Sequence, residues 1–113
     1  MDQVAASEYP RIIRGIVEHY AQFKPSVGEI DVEVVIDEKS GHFELLHTGW
    51  ANGYRIHGAV IHIDIRGDKV WLQHDGTEDT IAQQLLDAGI PKDRIVLAFK
   101  PPSLRKYMDF AVA

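Results

Sequence analysis

With 113 residues, 45% of them hydrophobic, the chain is sized for one domain with a modest core. No apolar run approaches the roughly 18 residues a transmembrane helix needs, and the opening MDQVAASEYP lacks both the positive and the apolar regions of a secretory signal. Without cysteine there are no disulfides and no thiolate metal sites, which suits a cytoplasmic protein, and a net charge of −5 argues against direct nucleic-acid binding.

In chain order, Tyr9, Ile12, Ile13, Ile16, Val17 and Tyr20 recur at helical spacing and predict an amphipathic helix over about 10–22. Pro10 suits its first turn, where the missing N–H costs nothing, and Lys24-Pro25-Ser26-Val27-Gly28 ends it. A first strand is expected over 30–37, with Val32, Val34 and Ile36 on one face and Asp31, Glu33 and Asp37 on the other. Glu38-Lys39-Ser40-Gly41 is a polar turn into a second strand, 42–50, in which Phe43, Leu45 and His47 alternate with Glu44, Leu46 and Thr48. Asn52-Gly53 then gives a strong hairpin signal.

The stretch YRIHGAVIHIDIRGDKVWLQH, 54–74, organises the rest. Gly67-Asp68 is a two-residue loop between a third and a fourth strand. Counting outward from it pairs Ile65 with Val70, Ile63 with Leu72 and Ile61 with His74 on a largely apolar face. The other face then carries Asp64 opposite Trp71 and His62 opposite Gln73. Any function written in the sheet is expected on that polar-aromatic side.

A second helix follows over about 78–88, with Thr77 as N-cap and Glu78 and Asp79 at the positive end of its dipole. Gly89 suits the left-handed residue after the helix, with Ile90 folding back and Pro91 preventing continuation. RIVLAF, 94–99, reads as a short fifth strand, and Pro101-Pro102 redirects the chain into an end that stays apolar through Phe110, Ala111, Val112 and Ala113. Such an end either packs on the domain or serves a partner. No internal repeat or long linker interrupts the chain, so 1–113 reads as a single α+β domain. Its expected sheet is an antiparallel meander of four to five strands, with one helix before it and one after the fourth strand.

The residues offer little catalytic chemistry. His62 and Asp64 share a strand face, and with His47 or His57 they could make a metal site or an acid–base pair. The plainer reading, in which Asp64 orients His62, is preferred, because a metal site needs three or more convergent ligands. Asp75-Gly76-Thr77-Glu78-Asp79 lacks the alternating acids of a calcium loop. There is no phosphate-binding glycine motif and no nucleophile elbow. No catalytic, cofactor or metal residue is therefore expected. The candidate interaction surface is His62, Asp64, Trp71 and Gln73 on the sheet with Phe110 and Val112 at the apolar end, and covering it by homo-oligomerisation is one expectation.

Gly49-Trp50, Val60-Ile61-His62-Ile63-Asp64-Ile65, Gly67, Trp71, Asp75-Gly76-Thr77-Glu78, Ile81-Ala82, Leu85, Gly89-Ile90-Pro91-Lys92, Ile95-Val96-Leu97-Ala98-Phe99 and Phe110-Ala111-Val112-Ala113 closely resemble the XisI family. These are the fdxN element excision controlling factors of filamentous cyanobacteria. Ala98 stands where the family pattern suggests Gly, and MDQVAASEYP is not the usual opening. The resemblance implies a non-enzymatic accessory role in programmed excision of a DNA element during heterocyst differentiation. It implies protein contacts with an XisH-like companion, which is similar to endonuclease-fold proteins, or with the site-specific recombinase. Antitoxin-like restraint of that companion is an alternative, and a His/Asp metal- or ligand-binding protein is another.

Overall fold

The computed structural model describes residues 3–113, so Met1 and Asp2 of the expected domain lie outside the described residues. Five strands form one sheet in chain order: β1 (Glu29–Asp37), β2 (His42–Ala51), β3 (Tyr54–Arg66), β4 (Lys69–Asp75) and β5 (Ile95–Leu97). Among the described residues three α-helices accompany it, α1 (Tyr9–Tyr20), α2 (Ile81–Asp87) and the single turn α3 (Pro102–Arg105).

α1 forms where its apolar spacing places it, starting one residue earlier and ending two residues earlier than expected, with Pro10 in its first turn. It lays Tyr9, Ile13 and Val17 onto the sheet, where they join Phe43, Leu45, Ile61, Ile63, Val70 and Leu72. Ile81 and Leu85 of α2 complete this side, with Ile95 and Leu97 of β5. Fully burying each such side chain is worth roughly 1.5–3 kcal/mol. Both longer helices thus cover one face of the sheet. Val34, expected with Val32 and Ile36 on that face, remains 42% exposed because β1 is an edge strand with sheet on one side only.

The hairpin loops follow their residue chemistry. Asn52 and Gly53 both take positive φ, 53° and 79°, as a type I′ loop requires. At the next loop Gly67 alone does so, at 63°, the pattern of type II′. The pairs Ile65–Val70, Ile63–Leu72 and Asp64–Trp71 form as expected. Beyond them a bulge at Gln73 shifts the ladder, so His62 faces His74 rather than Gln73 and Ile61 faces Asp75 rather than His74.

The sheet is mixed, not the wholly antiparallel meander expected: β5 runs parallel to β4, with Val70, Trp71 and Leu72 opposite Ile95, Val96 and Leu97. The cause is α2, which carries the chain back along the sheet before β5 begins, as a parallel crossover must. α2 itself starts three residues later than expected, and Thr77 is not its cap. Thr80 holds the N-cap position without a side-chain bond, while Asp75 accepts the Ile81 amide at 3.0 Å and the Thr77 amide at 2.9 Å. A carboxylate at the end of β4, with two acceptor oxygens, does what one threonine hydroxyl was expected to do. The far end matches expectation. Gly89 has φ +101°, its amide bonds Leu86, and Ile90 bonds back to Leu85 at 3.1 Å.

The apolar end packs on the domain. Phe110 lies against the core, and the Ala111 amide bonds the Ile95 carbonyl at 2.9 Å, so the chain's last residues run beside β5. No described helix is long and apolar enough to cross a membrane.

Candidate functional site on the open sheet face

The two longer helices occupy one face; the other is built from the alternate residues of each strand. Cross-strand neighbours share a face, so the pairings define a row through the whole sheet: Asp37, His42, Asp64, Trp71, Val96 and then Ala111. A second row places Val35, Glu44 and His62 side by side. Two histidines and two carboxylates thereby form a checkerboard on β2 and β3.

The four are in hydrogen-bonding contact. His42 Nδ1 is 2.9 Å from Asp64 Oδ1, and His42 Nε2 is 3.0 Å from Glu44 Oε2. His62 Nε2 lies 3.2 Å from Asp64 Oδ1 and 3.1 Å from Oδ2. Gln73 donates to Asp64 Oδ2 at 3.2 Å, and the Arg66 guanidinium stands 3.8 Å from the same oxygen. The Asp64 side chain is only 16% exposed, whereas the two imidazoles are about twice as open. His42 meets a carboxylate oxygen at both ring nitrogens. The hydrogen bond to Glu44, opposed by partial desolvation and reinforced by Asp64, raises its pKa above 6.5.

Trp71 is flanked by two cations, with the Arg66 guanidinium 4.5 Å and the Arg105 guanidinium 5.7 Å from its ring centre. Of the residues singled out from the sequence, His62, Asp64, Trp71 and Gln73 are brought together here. Phe110 is not on this face: it packs against the core beneath Lys92. Val112 is 53% exposed near the Arg105 guanidinium. His57 lies two rows away along the sheet, opposite Thr48, and His47 lines a separate cavity of about 500 Å³ with Tyr20, Phe23 and Leu45.

His42 and Glu44 are the members that sequence reasoning missed. Counting back from the Asn52-Gly53 loop sets Ile63, not Asp64, opposite His42. A bulge that makes Val60 the extra residue of β3 moves the ladder by one, and Asp64 then meets His42. The signal was present in the hydrophobic pattern. Without a bulge, inward Phe43 would face outward His62, so one extra residue is needed to put Phe43 beside Ile63.

The chain matches the XisI protein family over residues 1–112. A crystal structure of a XisI-like protein from Anabaena variabilis ATCC 29413 is 31% identical, with 96% of this chain and 99% of that one covered at a TM-score of 0.88. The crystal structure of the fdxN element excision controlling factor XisI from the same organism is 29% identical, with 96% and 98% covered at a TM-score of 0.83. No curated protein matches. With its whole fold shared and the family pattern spanning nearly every residue, the chain belongs to the XisI family.

Proposed function

We propose that the chain is a non-enzymatic accessory factor in the controlled excision of a DNA element, acting in the cytoplasm through contact with a companion protein. The name of its relative, an excision controlling factor, supplies the process. The observation that carries the mode of action is the open sheet face. Its edge strand β1 presents Glu29, Asp31, Glu33 and Asp37, and the neighbouring strands add Glu44 and Asp64. An acidic face on a chain of net charge −5 repels DNA phosphates and suits a basic protein surface. An XisH-like companion, or the recombinase itself, is the partner this reading expects.

The test is co-purification of this chain with the XisH-like protein and with the recombinase, followed by the mass of any complex. A defined complex that weakens at least tenfold when Asp31 and Glu33 are both changed to Lys supports the reading. Failure of both proteins to associate at micromolar concentration, or a complex indifferent to that charge reversal, counts against it.

A further inference from the structure

We propose that His42, His62 and Asp64 form a binding site for a first-row divalent transition cation of the zinc class, with Glu44 and Gln73 as positioning residues. Nothing in the accessory role requires this, and it stands whichever partner the chain binds. Each of the three side chains offers one ligand atom, and these atoms lie within 4.8 Å of one another. Donors held about 2.0–2.1 Å from a tetrahedral ion stand roughly 3.3 Å apart. The two histidine-to-Asp64 separations, 2.9 and 3.2 Å, are already near that spacing. The remaining His42–His62 edge is no longer than 4.8 Å, and small side-chain rotations bring it to the same spacing.

The surroundings have the layout of a ligand set with orienting partners. His42 turns Nδ1 toward the shared centre and Nε2 toward Glu44 at 3.0 Å, the carboxylate–histidine pairing that fixes the tautomer of a metal-bound imidazole. Asp64 Oδ1 is the oxygen shared by both imidazoles, while Oδ2 is held by Gln73 at 3.2 Å, lies 3.1 Å from His62 Nε2 and faces Arg66, so the carboxylate is anchored on its outer side. Arg66 adds a positive charge nearby, but at 3.8 Å from the outer oxygen and drawn over the Trp71 ring it does not occupy the centre.

The donor chemistry sets the class of ion. Two imidazole nitrogens and one carboxylate oxygen suit zinc, nickel or iron(II), whereas magnesium and calcium prefer all-oxygen sites. Because all three ligands project from one sheet face, the solvent side of the ion stays open to water or an incoming group.

The experiment uses the full chain after chelator treatment, titrated with zinc chloride by calorimetry and with cobalt(II) followed by its visible absorption. One zinc per chain is expected, with cobalt(II) giving the intense bands of a low-symmetry four- or five-coordinate site, and with no heat from magnesium or calcium. Asp64→Asn and His42→Ala should each weaken zinc at least 100-fold, and Glu44→Gln roughly 10–100-fold. His57→Ala should leave binding unchanged. Circular dichroism checks each fold, and the near-isosteric His62→Gln replaces any variant that unfolds. Absence of saturable zinc binding overturns the proposal, as does zinc held equally by the Asp64 and His62 variants.

Discussion

The Arg105 guanidinium stands 5.7 Å from the centre of the Trp71 ring, and its nitrogens are spent on three carbonyl oxygens, two in the turn after β5 and one near the end of the chain. They donate to Lys100 at 2.9 Å, Ala98 at 3.2 Å and Val112 at 3.4 Å. One side chain thereby ties the exit of β5, the short α3 and the final residues to the open sheet face. Arg105→Ala should cost about 1–2 kcal/mol, below the sum for three charge-assisted bonds because the group is partly solvated. Arg105→Lys should recover less than half, since an ammonium cannot span the same fork of acceptors. Urea unfolding gives the magnitude, and amide exchange at Ala111 gives the location. An unchanged exchange rate there would show that Phe110 and the Ala111–Ile95 bond hold the tail without Arg105.

The start of α2 offers a sharper comparison between two candidate caps. Asp75 receives the Thr77 amide, the Thr77 hydroxyl at 2.6 Å and the Ile81 amide, so three donors depend on one carboxylate. Asp75→Ala should cost about 1–2 kcal/mol, the usual loss on removing a helix cap. Thr77→Ala removes a hydroxyl shared between Asp75 and the Asp79 carbonyl and should cost less than half as much. Paired thermal melts decide it; a larger loss at Thr77 would restore the threonine as the cap.

The difference between these two residues shows how far the sequence could be read. Local chemistry was legible: the glycine loops, the Gly89 helix end and the apolar stripe of α1 all form as their residues dictate. Long-range registration was not, because it depends on where a strand takes an extra residue. Bulges at Val60 and Gln73 each move a ladder by one position and leave the local pattern of either strand intact. His62 and Asp64 were therefore placed correctly on one face, while their partners His42 and Glu44 were out of view. The cap at Asp75 escaped for the same reason: it acts across six residues, beyond the reach of a rule that looks one or two residues before a helix.

The turn after β1 gives a pH-dependent prediction. The Ser40 hydroxyl first, and then the amides of Ser40 at 3.3 Å and Lys39 at 3.1 Å, hold the Asp37 carboxyl below its ordinary 3.8. A carboxyl whose folded pKa is depressed stabilises the fold above its unfolded value, and that contribution is lost as pH falls through the folded pKa. NMR titration of the Asp37 side chain should show a midpoint under 3.8, and Ser40→Ala should move it upward. In urea, Asp37→Asn should lower stability at pH 6 and do progressively less as pH drops below about 3.8. A midpoint at or above the ordinary value removes the basis for this window.

Two glycines should respond in opposite directions to the same change. Gly15 lies exposed in the interior of α1, and an added Cβ meets nothing within 4 Å, so Gly15→Ala should stabilise by about 0.5–1 kcal/mol through lost freedom of the unfolded chain. Gly49, before Trp50 in β2, has φ +152°, and an added Cβ would fall 2.0 Å from the Glu29 carbonyl oxygen and 3.0 Å from Ile30 Cα. Both obstacles are backbone of β1, so relief requires the edge strand to separate. Gly49→Ala should therefore cost more than about 2 kcal/mol and loosen β1 before the rest of the sheet. Amide exchange of the residues bonded across β1 and β2, read beside the urea midpoint, tests both parts. If the sheet tolerates alanine at 49 with β1 still protected, the close approach of the two strands is not what fixes glycine there. Loss of protection confined to the β1–β2 ladder, with β3 to β5 intact, would show β1 to be the separable edge on which the acidic row is carried.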